Sequence, residues 1–177
     1  MKKTFINLAL ILIGFVLYFL QANFFSWFTI NGIKPNLFVI YILFIGLFGN
    51  RSMGIIYGAL WGIFLDLLYG TNVGINLAGL VLIGLLAILF NKNFSKDSRF
   101  IVTLMVIITT ANYEIVLYIF TMLRTEGTIE ILAFSKILLV ELVFNTLITI
   151  IIYPLIKKAG YYVENLFDDK FILTRYF

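Results

Sequence analysis

The chain contains no cysteine and no histidine. Disulfides, thiol nucleophiles, zinc sites of the usual kind and imidazole acid–base chemistry are therefore excluded. Charge is also scarce. Only 12% of the residues are Asp, Glu, Lys or Arg, about half the share in a soluble domain. What fills the chain instead is apolar: 62% of its 177 residues are hydrophobic and the mean hydropathy is +1.06. This is the composition of a membrane protein. The 19 Phe, 10 Tyr and two Trp suit lipid-facing surfaces with aromatic belts at both interfaces. The net charge of +4 sits in short clusters between apolar runs, so it reports topology and not nucleic-acid binding.

The N-terminus, MKKTFINLALILIGFVLYFL, has the lysines and apolar core of a signal peptide, but no small-x-small cleavage site follows it. It is read as an uncleaved first transmembrane helix, about residues 4–22. Helix 2 is expected to start at Lys34-Pro35, with Pro35 in the first turn, and to end near Gly49-Asn50. That is short for a hydrocarbon core of ~30 Å. Helices 3, 4, 5 and 6 are expected at about 53–69, 75–90, 100–123 and 131–156, with Pro154 near the end of the last. The tail, 157–177, resembles an amphipathic cytoplasmic helix lying on the membrane surface. The fold expected is thus a single all-α domain over residues 1–177, a bundle of six transmembrane helices.

Six spans put both termini on one side. With the N-terminus cytoplasmic, the inner side holds Lys2, Lys3, Arg51, Lys92, Lys96, Arg99, Lys157, Lys158, Lys170 and Arg175. The outer side holds Lys34, Arg124 and Lys136. The positive-inside rule selects cytoplasmic termini.

Gly54, Gly58, Gly62, Asp66 and Gly70 are spaced four apart, and Gly74 follows. On a helix this spacing draws one smooth stripe, where another backbone can approach closely. The stripe serves either packing inside the bundle or docking of another protein's helix. Asp66, at its far end, is placed to hydrogen-bond backbone groups of the outer turn, as an anchor and not a catalyst. Two further carboxylates, Glu114 and Glu141, fall near the middle of helices 5 and 6, with Asn112 near the first and Asn145 one turn from the second. Intramembrane carboxylates cost about 2.5–3.5 kcal/mol each on insertion scales and so need partners. They fit either interhelical hydrogen bonding or an ion, proton or substrate site. No intramembrane Lys or Arg clearly pairs with them. No nucleophile–base set, metal cluster or phosphate loop is present, so neither catalysis nor a cofactor is expected.

Lys34-Pro35-Asn36 followed by an apolar run, then Gly58-x-x-x-Gly62-x-x-x-Asp66 and Gly70-x-x-x-Gly74, resembles the bacterial rod shape-determining protein MreD family. Asn36 departs from the Asp that many members carry there. The resemblance implies a non-enzymatic, multi-pass protein of the bacterial cytoplasmic membrane that maintains cell shape. It would work with MreC, the actin-like MreB filament and the peptidoglycan polymerase and transpeptidase complex. It also implies a distant likeness to the six-helix substrate-binding subunits of energy-coupling-factor vitamin transporters. A transporter subunit of that kind is the alternative function, weakened because Ala9, Gly14 and Ala22 lack the Ala-x-x-x-Ala spacing such subunits present on helix 1.

Overall fold

A computed structural model describes residues 2–50, 52–69, 74–125 and 130–167. Six α-helices follow one another: α1 Lys2–Phe19, α2 Leu37–Phe48, α3 Met53–Tyr69, α4 Ile75–Asn93, α5 Arg99–Thr125 and α6 Ile131–Phe167. A single π-helical turn, Leu20–Phe24, extends α1. Among the described residues four helical segments are long and apolar enough to cross a membrane: Lys2–Phe24, Ile75–Asn93, Arg99–Leu123 and Ile131–Phe167. α2 and α3 are shorter, with 12 and 17 residues.

α2 is the core of the bundle. All 12 of its residues are buried, as expected of a helix that is apolar all round, and it packs against α1, α3, α4, α5 and α6. At 1.5 Å per residue it is ~18 Å long. Leu37 and Phe48 at its two ends are both buried, so the backbone groups that flank the helix need partners. Asn36 caps its start, the side chain accepting from Val39 N at 3.4 Å. Pro35 thus precedes the cap and does not occupy the first turn. The connection from α1 turns back at Asn31 and Gly32, both at positive φ (53° and 79°), between the paired Ile30 and Ile33. This is the geometry that Asn-Gly favours in two-residue reversals.

α3 and α4 form the closest pair. A Cβ added at Gly58 would lie 2.5 Å from Leu80 O, and one at Gly62 2.4 Å from Leu77 Cα. Gly54 faces both Gly46 of α2 and Gly84 of α4; a Cβ added to it would lie 2.9 and 3.2 Å from their Cα atoms. Three backbones meet there without side chains between them. α1 is held more loosely, by Gly14 against the Trp61 ring. Trp61 is fully buried, with Phe15, Phe38 and Phe64 around it at ring-centroid distances of 5.1–5.3 Å. It belongs to the core and not to an interfacial belt, whereas Trp27 is 88% exposed.

Two expectations for α6 are corrected. The helix runs without interruption through Pro154 to Phe167, so residues 157–167 continue it and form no separate surface helix. Proline removes one backbone hydrogen bond, which a packed neighbourhood can absorb. The rest of the tail lies outside the described residues. At this basic end of the bundle, Lys96 donates to Leu47 O (2.9 Å) and pairs with Glu164 (2.6 Å), thereby capping the C-terminus of α2. Tyr153 donates to the carbonyls of Lys96 and Asp97, and Tyr161 to the Asp97 carboxylate at 2.7 Å. Together these contacts clasp the α4–α5 loop onto α6.

Candidate functional site

The chemistry gathers at the opposite end, which carries Lys34. There Asp66, on α3, is 2% exposed, yet its carboxylate accepts four hydrogen bonds. Oδ2 takes Gly74 N (2.9 Å) and Leu77 N (3.1 Å). Oδ1 takes Asn76 N (3.0 Å) and Asn76 Nδ2 (2.9 Å). Gly74 is the N-cap of α4 and stands at φ 99°, a left-handed conformation that glycine adopts without strain. A glycine cap brings no side-chain acceptor, so the first turn of α4 has orphan N–H groups. Asp66 supplies the acceptor from the neighbouring helix and sets a negative charge on the positive end of the α4 dipole.

The same device recurs at the start of α2 with neutral groups. Gln21 Oε1 accepts from Leu37 N (2.9 Å) and Asn145 Oδ1 from Asn36 N (3.0 Å). Asn145 Nδ2 in turn donates to Thr110 at 3.1 Å. Two helices that begin inside the bundle are therefore capped by side chains from α1, α3 and α6.

Asn76 connects this frame to the intramembrane acids. Its Oδ1 accepts from Tyr113 OH at 2.5 Å, and Tyr113, Glu114 and Glu141 line a cavity of about 380 Å³ together with Lys34, Pro35 and Asn36. Glu114 and Glu141 are 7% and 5% exposed, and their carboxyl groups come within hydrogen-bonding reach of each other. Asn112, by contrast, bonds back to Ile108 O on its own helix. On α6 the buried residues Glu141, Asn145, Thr149 and Tyr153 recur every four positions, so one polar stripe faces the interior.

The site residues expected from the sequence fall into two groups. Gly54, Gly58 and Gly62 lie in the α2–α3–α4 seam, covered by α4. Asp66, Gly74, Pro35, Glu114, Glu141 and Asn145 surround the capped helix starts and the cavity. Gly70 lies outside the described residues. Gln21, Asn76 and Tyr113 belong to this site and carried no signal of their own, since each stands alone in an apolar run. Among the described residues no group of three or more acidic side chains could hold a metal ion.

The sequence model of one protein family, described as rod shape-determining protein MreD, matches residues 2–159. The chain belongs to the MreD family, and with it to the proteins that determine rod shape. No curated protein matches the chain, and no solved structure does.

Proposed function

We propose that this chain is a non-catalytic membrane component of the cell-elongation machinery, linking MreC, MreB and the peptidoglycan synthesis complex. The observation that carries the reading is the family match over residues 2–159. The build of the molecule supports it. The family-like residues Gly58, Gly62 and Asp66 hold α3 to α4 and cap α4, making a stiff hairpin whose other face stays exposed through Ile56, Leu60, Ile63 and Leu67. Such a hairpin suits the positioning of a partner more than the turnover of a substrate.

The protein resides in the bacterial cytoplasmic membrane, and both termini face the cytoplasm. The absence of cysteine makes that orientation simple to test with single introduced thiols. Lys158→Cys should react with an impermeant maleimide only from the cytoplasmic side, and Thr29→Cys only from outside. Labelling of both from one side would overturn the six-span topology.

Depletion in the native rod-shaped cell is the primary test of function. Rods should round up, and cells that keep their shape would refute the proposed role. Docking of MreC depends on the hairpin: Gly58→Leu with Gly62→Leu forces α3 from α4, and co-purification with MreC should be lost. A double variant present at normal levels that still brings down MreC would show that the hairpin is not the docking element.

A further inference from the structure

Glu141 is 95% buried by exposure, and its Oε1 has no hydrogen-bond donor. Several polar groups of the cavity wall donate elsewhere, and the side chains of Asn36 and Asn145 reach the Glu141 carboxyl group but leave Oε1 unpaired. Tyr113 OH gives its proton to Asn76, Asn76 Nδ2 to Asp66, Asn145 Nδ2 to Thr110, and the Asn36 backbone N–H to Asn145. Lys34 lines the same cavity, but the ion pairs among the described residues, Lys96–Glu164 and Lys157–Asp97, do not include it. The cavity therefore holds two neighbouring acids, an acceptor without a donor and, on its wall, an ammonium without a carboxylate.

Two carboxyl groups side by side in a low-dielectric site need a proton or a cation between them. Among the described residues no third acid joins the pair to make a metal cage, and a hard ion held by two carboxyls would have to carry most of its shell as water. A primary ammonium fits better. It brings a positive charge and three N–H donors in one compact group, enough for the free oxygen of Glu141 and for Glu114 together. Lys34 matches the opposite charge. At about 380 Å³ the space falls in the range of small-molecule sites.

We propose that the cavity binds a small zwitterion, its primary ammonium seated on Glu141 and Glu114 and its anionic group turned to Lys34. This goes beyond the role in the elongation machinery and does not depend on it. The ethanolamine phosphate group has this chemistry, whether free in solution or as a lipid headgroup.

The test uses the full chain in phosphatidylcholine nanodiscs, with thermal unfolding followed by intrinsic fluorescence. Free phosphoethanolamine is titrated in one arm, and phosphatidylethanolamine replaces part of the lipid in the other. Phosphocholine, which keeps the charges but has no N–H, is the control. A saturable rise in Tm of about 5 °C is expected at ~100-fold excess over Kd. The arm in which it appears identifies the source. Phosphocholine should give no rise, and Glu141→Gln should abolish the response while the unliganded protein unfolds at its usual temperature. Lys34→Met should weaken the response, and equilibrium dialysis of labelled phosphoethanolamine against the wild type reads binding without any variant. No rise in either arm, an equal rise with phosphocholine, or a full response in Glu141→Gln would overturn the proposal. So would a Tm that depends on pH alone, because the acids would then hold only a proton.

Discussion

Asp66 and Glu141 look alike in the sequence: each is a lone carboxylate in an apolar run, and each is buried, at 2% and 5% exposure. Their surroundings differ. Asp66 meets four donors, three of them backbone N–H groups at the start of α4. Glu141 meets another acid and leaves Oε1 without a donor. A buried charge with a complete set of partners holds a structure together. A buried carboxyl group whose set is incomplete is an opening for something that completes it.

Removing each carboxylate in turn separates the two roles most strongly. Asp66→Ala strands four donors, and the loss should be about 3 kcal/mol or more, seen as a large drop in Tm or as failure to accumulate in the membrane. An unchanged Tm would show that water or another group caps α4. Asn145→Leu comes next. It leaves Asn36 N and Thr110 without a partner, and about 1–2 kcal/mol should be lost. Glu141→Gln should move the unliganded stability by less than about 1 kcal/mol, because the amide keeps the shape and can still hydrogen-bond to Glu114. If it destabilised as much as Asp66→Ala, both acids would be structural and the contrast would fail.

The smallest effect belongs to the basic end. Hydrogen bonds from Tyr161 and Lys157 hold the Asp97 carboxyl below its ordinary range. A group whose pKa is depressed by folding stabilises above its unfolded pKa, and that contribution fades as pH falls through the folded value. Tm should therefore decline a little more steeply below about pH 4 in the wild type than in Asp97→Asn. The pair is solvent-exposed and screened, so the two curves should differ only slightly; identical curves would show that the clasp adds nothing.

Much of the fold was legible because hydropathy and spacing are local. The six apolar runs became six helices, and the boundaries of α3 were read to the residue. The Gly-x-x-x-Gly spacing announced a close approach, but not its partner: α4 contributes Leu77, Leu80 and Gly84 to the seam, and only Gly84 stands out in the sequence. The Asn31-Gly32 reversal did carry a readable signal, obscured by the aromatic residues around it. Pro154 misled, because its breaking tendency is a local preference that packing overrides. Trp61 misled for a similar reason. An indole suits an interface by type, but the space above Gly14 admits it to the core.

Residue types and their spacing are enough to specify an all-α membrane protein without thiol or imidazole chemistry, in which one helix presents a glycine face ending in Asp66. These are properties of single segments, set by composition and by the helical repeat. What those features meet is set by how the helices pack. Gln21 and Asn145 reach the start of α2 from 16 and 109 residues away, and Glu114 meets Glu141 across two helices. Satisfaction of a buried polar group depends on which donors lie within about 3 Å. That is a property of how helices pack, and no single run of residues contains it.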